Sequence, residues 1–343
     1  MPLTLPAPCT PDPMAAPTLR WGILAPGGIA RSFATALRAR TGQRLQAVAS
    51  RSLPRAEAFA REFGATAAYG SYAALVADPD VDVVYVAAPH SEHHALALLA
   101  IEAGKGVLVE KAFTRNTAEA AEVVAGARRA RVFAMEAMWT RFLPHVDVVR
   151  QCLEQGLLGQ VCTVTADHGQ QLYPDGPQRL ADPALAGGAL LDLGIYPMSF
   201  AHLVLGGFTS VTATGQLTDR GVDAQDAITV TSASGALGML GTTMLAKTPT
   251  TASICGTGAR LEIDGDFYGP RALVRLVAPD GRELDRFVAG DTAYGLHFQA
   301  AEVARRVGAG ELESPLMALD ETVAIMGALD QVRTQVGVRY PGE

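Results

Sequence analysis

Between residues 20 and 135, short apolar runs alternate with stretches whose apolar residues recur at helical spacing. The runs lie at 20–25, 45–50, 67–69, 81–87, 107–113 and 132–135, and the helical stretches at 29–40, 54–63, 91–103 and 117–129. Runs that are apolar on both faces must be covered on both, and the intervening helices supply the cover. The pattern predicts an α/β Rossmann domain, a doubly wound parallel sheet with helices on both faces. Such sheets bind ligands outside the carboxyl ends of their strands. There the run Val107-Leu108-Val109 ends in Glu110-Lys111-Ala112-Phe113, which delivers an acid and a lysine. A lysine so placed serves as a proton relay or a fixed charge. The plainer alternative is a solvated lysine just past a strand.

After residue 142 the rhythm changes. A helical stretch at 143–155 precedes alternating segments at 161–167, 210–217, 227–232, 236–244, 252–256, 259–263 and 272–276. Turn residues Ala233-Ser234-Gly235 and Gly256-Thr257-Gly258 separate neighbouring segments, as in hairpins. Further helical stretches lie at 190–205, 297–307 and 321–336. The second half is therefore expected to be an α+β domain with a large, mostly antiparallel sheet that carries helices on one face. The expected division is a flexible tail at 1–18, a dinucleotide-binding domain at 19–142 and a substrate domain at 143–343. The tail holds six prolines and no basic residue, unlike a signal peptide. Met14, just ahead of the first strand, is an alternative start.

The turn after the first strand reads Ala25-Pro26-Gly27-Gly28-Ile29-Ala30. It occupies the place of the G-x-G-x-x-G/A dinucleotide fingerprint, with Ala25 for the first glycine. Gly27 lets a pyrophosphate approach the backbone, the helix start faces its charge, and Ala30 permits close helix packing. The second strand should end in an acid, about 20 residues on, if the ribose carries a free 2′-hydroxyl. It ends instead in Ser50-Arg51, with Arg55 one turn later. Two arginines and a hydroxyl suit a 2′-phosphate, so the expected cofactor is NADP over NAD. Pro89, His90 and His93 follow the fourth strand and are expected near the nicotinamide half, with Glu110 and Lys111. His93 and His94 lack partners at ligand spacing, so no metal site is expected.

Net charge of −7 argues against nucleic acid or an anionic membrane as partner. No run of about 18 apolar residues is evident, so no membrane span is expected. Four scattered cysteines suggest neither zinc nor disulfides and fit a reducing cytoplasm.

The stretch Gly187-Gly188-Ala189-Leu190-Leu191-Asp192-Leu193-Gly194-Ile195-Tyr196 sets two polar groups four apart in an apolar helix, hence on one face. A buried structural Asp–Tyr pair reads equally well. Together with Trp21-Gly22-Ile23-Leu24, Glu110-Lys111 and Met135-Glu136-Ala137-Met138-Trp139-Thr140-Arg141-Phe142, this stretch resembles the Gfo/Idh/MocA oxidoreductase family. The nearest branch holds dimeric dihydrodiol dehydrogenases that also oxidise D-xylose with NADP. The likeness extends over 19–343, through Gly337-Val338-Arg339-Tyr340-Pro341.

The resemblance implies a Rossmann domain, a second domain whose open sheet face forms a homodimer, and a sugar or cyclic diol as substrate. It implies that Lys111 and Tyr196 flank the substrate, with Asp192 supporting and Trp139 and Arg141 beside it. Tyr196 becomes the general acid/base, since a neighbouring ammonium favours its phenolate. The family's usual Glu-Lys-Pro becomes Glu110-Lys111-Ala112 here, and alanine argues against a cis bond. Residues 170–179 and 294–297 are expected to shape substrate choice, where a deoxysugar, inositol or anhydrofructose-like ketone is an alternative. A catalytically silent NADP sensor on the same fold is the other class.

Overall fold

Trp21, Ile23 and Leu24 of strand β1 (Arg20–Leu24) are wholly buried. Their strand is central, as its unbroken apolar run requires. Around it the computed structural model, which describes residues 3–290 and 295–343, sets β2 (Arg44–Ala49), β3 (Ala67–Tyr69), β4 (Val83–Val86), β5 (Gly106–Glu110) and β6 (Ala134–Ala137). The order is β3-β2-β1-β4-β5-β6, every pairing parallel. The direction of winding reverses between β1 and β4, which opens a crevice at their carboxyl ends.

Helices α1 (Gly28–Arg40), α2 (Leu53–Phe63), α3 (Tyr72–Val76), α4 (His90–Glu102) and α5 (Thr117–Ala130) make the crossovers. Phe33 of α1 stacks on Tyr85 of β4 at 4.0 Å between ring centroids, and Trp21 meets Phe33 edge-on at 5.3 Å. Burying each such ring contributes about 1.5–3 kcal/mol. Helix α3 was not evident in the sequence, because five residues are too few to display a period. It packs on β1 where Gly22 leaves room: a Cβ there would lie 2.7 Å from Leu75 Cδ2.

The second sheet runs β14-β13-β12-β11-β7-β10-β9-β8. After α6 (Pro144–Glu154) come β7 (Val161–Gly169), α7 (Ile195–Leu205), β8 (Ser210–Leu217), β9 (Asp223–Thr231), β10 (Leu237–Thr243), β11 (Ala252–Gly256), β12 (Arg260–Asp264), β13 (Leu273–Val277) and β14 (Glu283–Val288). All pairings are antiparallel except β7 with β10. Helix α7 covers one face, over Val164, Val230 and Leu240. The other face stays open, with Leu237 at 42% and Met239 at 48% exposure. Strand β14 escaped the sequence reading because its half-exposed sequence ELDRFV lacks apolar alternation.

Helices α8 (Leu296–Gly308) and the start of α9 (Leu319–Val336) group with the parallel sheet, and the rest of α9 with the second. The proline-rich start is hydrogen-bonded along its length: Leu5 N–H donates to Asp285, Cys9 N–H to Asp147, and Ala7 O accepts from Gln151. Among the described residues one helical stretch, Pro183–Leu205, has the length and hydropathy (1.4) to cross a membrane by composition alone. Its most apolar window is 83% buried, so its apolar residues are spent on the core.

Candidate active site

The turn between β1 and α1 is shaped by Ala25, whose φ of 61° lies in the left-handed region. That conformation costs an alanine roughly 1 kcal/mol and explains why glycine commonly stands there. Ala25 N–H ties the turn to Ala49 O at 3.1 Å, and Gly27 N–H folds back on Ala25 O at 2.8 Å. Gly27 is the helix N-cap and supplies no side-chain acceptor. A Cβ at Gly28 would meet nothing within 4 Å. No side chain caps the first N–H groups of α1, which suits the pyrophosphate of a dinucleotide. Pro26, Ile29 and Ala30 complete this turn, and buried Ala30 brings α1 close to the sheet.

At the end of β2, Ser50 is buried and its Oγ accepts Ser52 N–H at 3.2 Å. Arg51 and Arg55 are exposed. Both exert their charge on Tyr72 of α3, whose phenol is nevertheless held above its ordinary pKa by burial. Tyr72 was missed in the sequence because its helix was.

At the end of β5, the Tyr85 hydroxyl donates to Glu110, whose other oxygen accepts Lys111 N–H at 3.2 Å. The Lys111–Ala112 peptide is cis, which corrects the expectation drawn from alanine. Side chains from α4 meet both of its flanking carbonyls: His90 Nε2 lies 3.2 Å from Lys111 O and His93 Nδ1 2.9 Å from Ala112 O. Tertiary contacts, which alanine's intrinsic preference does not report, hold this bend. His93 Nε2 also lies 2.8 Å from Ala88 O. Pro89 starts α4 as its N-cap. His93, expected beside the cofactor, is buried, with both ring nitrogens against backbone oxygens.

Trp139 and Arg141 lie in a buried turn, Trp139–Phe142, after β6. Arg141 is expected at the substrate, but its guanidinium donates to Glu321 at 2.7 Å. Nearby, burial pushes the Glu136 carboxyl up to about 7, against the Thr322 hydroxyl, Arg141 and Phe113 N–H that favour its charge.

In the second unit, the segment Leu190–Gly194 is a π-helical turn that runs into α7. The four-residue spacing of Asp192 and Tyr196 was read on an α-helix, and the wider turn changes that register. Both residues still converge on Tyr268, whose phenol is raised chiefly by burial, then by Tyr196 and Asp266, with Asp192 adding to the effect and Gln170 opposing. The Tyr196 ring lies 4.7 Å from that of Tyr268 and 5.1 Å from that of His168, and the last two are 4.2 Å apart. Gln170 Nε2 donates to His168 Nε2 at 3.0 Å and to the Tyr268 oxygen at 3.3 Å. His168 Nδ1–H donates to Leu193 O at 3.2 Å. Arg179 donates to Asp192 at 3.0 Å. His168 and Tyr268 were not foreseen: they stand 100 positions apart, and no local pattern marks either. Gln170 and Arg179 fall in the loop named beforehand, whereas Tyr294 lies outside the described residues.

An open helix start at a Rossmann switch point, arginines beyond the second strand and an acid–phenol cluster in a second unit define a nicotinamide-dinucleotide oxidoreductase. Residues 19–138 match the Gfo/Idh/MocA oxidoreductase family with NAD-binding Rossmann fold, and residues 146–262 match its C-terminal domain. The chain belongs to that family, and it acts on CH–OH groups. It is 37% identical over 335 residues to the trans-1,2-dihydrobenzene-1,2-diol dehydrogenase of Bos taurus, covering 94% of this chain and 98% of the relative. The Xenopus tropicalis enzyme of the same name is 34% identical over 332 residues, covering 94% and 99%. KijD10, a 3-ketoreductase from Actinomadura kijaniata solved with NADP and TDP-benzene, superposes with a TM-score of 0.81 at 28% identity, over 94% of this chain and 99% of its own.

Proposed function

We propose that the protein moves hydride between NADP and a sugar or cyclic diol, with Tyr196 exchanging the proton and Lys111 assisting it. When bound, NADP supplies or takes the hydride. The residues suited to hold it are Gly27, Gly28 and the start of α1 for the pyrophosphate, and Arg51 and Arg55 for the 2′-phosphate.

The observation that carries the reading is the ring cluster around Tyr196. Oxidation of an alcohol requires a group that takes the hydroxyl proton, and reduction a group that returns it. His168 is engaged through both ring nitrogens, Nδ1 with Leu193 O and Nε2 with the Gln170 side-chain amide. Burial keeps the Tyr268 phenol protonated. Tyr196 is the remaining phenol of the cluster. Lys111 is the fixed cation assigned to favour its phenolate, because a free phenol near pKa 10 is a weak base at neutral pH. The aromatic walls suit the apolar face of a ring-shaped substrate. The kinship with dihydrodiol dehydrogenases supports a cyclic diol, and the likeness to a 3-ketoreductase supports a cyclic ketone in the reverse direction. The open sheet face bearing Leu237 and Met239 is the surface proposed to pair two copies.

The test follows NADPH absorbance with trans-dihydrodiols and D-xylose, for the wild type and for Tyr196→Phe and Lys111→Met. Each variant is expected to lose about 100-fold or more in kcat, the scale of general acid–base catalysis, while NADPH fluorescence still reports binding. Near wild-type turnover in either variant overturns the assignment of that residue.

A further inference from the structure

Asp223 and Asp226 are carboxylic residues of β9, 1% and 4% exposed. Three positions apart on a regular strand they would point to opposite faces. The pairing of β8 with β9 shifts register between Gln216 and Leu217, the latter opposite Asp223, and the irregularity turns both carboxyls inward. One oxygen of Asp223 accepts Leu190 N–H, and Ala189 N–H also bonds to this carboxylate. These are the leading N–H groups of the helical segment that carries Asp192 and Tyr196. Gly188, at φ 115°, makes the approach possible, since a Cβ there would lie 2.1 Å from Asp223 Oδ1. From another side, the Tyr340 hydroxyl donates to Gly187 O at 2.7 Å. Residues 187–190 are thereby held both by their N–H groups and by a carbonyl.

The rest of the pair lacks ordinary donors. Among the described residues, no group outside the pair donates a hydrogen bond to either oxygen of Asp226 or to Oδ1 of Asp223. Two adjoining buried carboxylates do not both ionise, and a proton on one satisfies an oxygen of the other. Burial raises the Asp223 carboxyl as well, but of the two it is the one favoured to carry the charge, because it faces helix N–H groups and the positive end of the helix. Asp226 then carries the proton, and burial together with the charge of Asp223 pushes it up to about 9.

We propose that Asp223 is a positioning residue for Asp192 and Tyr196, and that Asp226 keeps it seated by donating the single proton the two share. This inference rests on Tyr196 as the group that exchanges the proton. Among the described residues no cation is set directly against the pair. On β8 stands Gly215, where a Cβ would lie 2.3 Å from Asp226 Oδ1, and on β10 the uncharged Thr242 is the register partner of Asp226. The C-terminal segment adds Tyr340 and Glu343, and Arg333 of α9 is paired to Asp330 and Glu343. A second negative charge on the pair, gained as pH rises past Asp226's own titration, would repel Asp223 from the helix start.

The experiment records kcat and KM from pH 6.5 to 10.5 for the wild type, Asp226→Asn, Asp226→Ala, Asp223→Asn and Tyr196→Phe, with NADP saturating. Asn at 226 still donates but does not ionise. The wild type is expected to lose kcat as pH rises past about 9, and Asp226→Asn is expected to stay within about threefold of wild-type kcat at pH 7.5 and to lack that alkaline fall. Asp226→Ala and Asp223→Asn are expected to lose about tenfold or more in kcat with little change in KM, as displaced catalytic geometry does. An alkaline limb unchanged in Asp226→Asn overturns the proposal, as does wild-type kcat in Asp223→Asn. Should Asp223→Asn fail to fold, the pH profile of Asp226→Asn decides alone. Full turnover in Tyr196→Phe is a separate failure, that of the underlying assignment, since it is read without altering either aspartate.

Discussion

The buried imidazole of His93 holds its Nδ1 2.9 Å from Ala112 O, in the bend that follows Lys111, and its Nε2 2.8 Å from Ala88 O at the end of β4. Both oxygens are acceptors. Burial lowers the pKa of His93, so the neutral ring has one N–H to give, and its tautomer selects which carbonyl receives it. One side chain thus lies between the carboxyl ends of two adjacent strands and bonds one of them at a time. His93→Ala should lower thermal stability by about 1–3 kcal/mol, the cost of leaving a buried carbonyl unmet. It should also lower kcat about tenfold by loosening the placement of Lys111. His93→Gln, which retains a donor, should recover part of both. Melting curves and steady-state kinetics on the same preparations check this, and an Ala variant with unaltered kcat would separate the histidine from the lysine.

Arg51 and Arg55 are exposed and act jointly on Tyr72, which places two guanidinium groups around one patch beyond β2. A 2′-phosphate would bring both into charge-assisted hydrogen bonds, whereas a 2′-hydroxyl gains little from either. Replacing both by Ala should raise KM for NADP by about 10- to 100-fold, as the loss of one or two charged hydrogen bonds implies. KM for NAD should change by less than about threefold, since no such bond is lost. Equal effects on the two cofactors would show that the arginines steer charge in general and do not recognise the phosphate.

Glu136 gives the parallel-sheet unit a pH dependence of its own. Its folded pKa is raised to about 7 from an ordinary 4.5, because burial outweighs the Thr322 hydroxyl and Arg141. A carboxyl raised on folding binds more protons in the native state than in the unfolded chain between those values. Stability therefore declines as pH rises from about 4.5 to about 7 and levels off above. Glu136→Gln should abolish that slope, read as the urea midpoint at pH 5 and pH 7.5. In the other unit His145 acts with the opposite sign. It is lowered by burial to about 4, so its contribution is full above the unfolded value near 6.5 and is lost as pH falls toward 4. An acid-side loss that persists in Glu136→Gln is consequently expected.

What could be read from the chain follows from how far apart the interacting residues lie. Strands β1, β4 and β5 announced themselves because a parallel strand buried on both faces is locally apolar, and Gly27 and Gly28 because a turn is local too. The acid and lysine at the end of β5 were visible for the same reason. The cluster around Tyr196 was half visible. Asp192 and Tyr196 share one stretch, but His168 comes from the end of β7 and Tyr268 from the loop after β12, and only the register of the antiparallel sheet brings them together. Asp223 and Asp226 precede the segment expected at 227–232 and carry no local signal; only the fold buries them and sets Asp223 against the helix start. The cis peptide at Ala112 stands among contacts from His90, His93 and Glu110 that residue preference does not encode.

Tyr85 links the core to the site directly. Its ring stacks on Phe33 at 4.0 Å in the centre of the parallel-sheet unit, while its hydroxyl donates to buried Glu110. Glu110 in turn accepts Lys111 N–H. Removing only the hydroxyl leaves the ring packing intact and takes one donor from a buried carboxylate. Tyr85→Phe should cost about 1–3 kcal/mol of stability, toward the upper end because the acceptor is charged. The carboxylate that loses this donor also fixes the backbone of Lys111, so kcat should fall while KM for NADP, set at the far end of the sheet by α1 and the end of β2, stays close to wild type. A variant that also removes the charge, Tyr85→Phe with Glu110→Gln, should recover stability relative to Tyr85→Phe alone, since an amide is less costly to leave short of a donor than a carboxylate. It should not recover kcat if Glu110 orients Lys111 through its charge. Recovery of both would mean that the hydroxyl serves the core and leaves the lysine untouched.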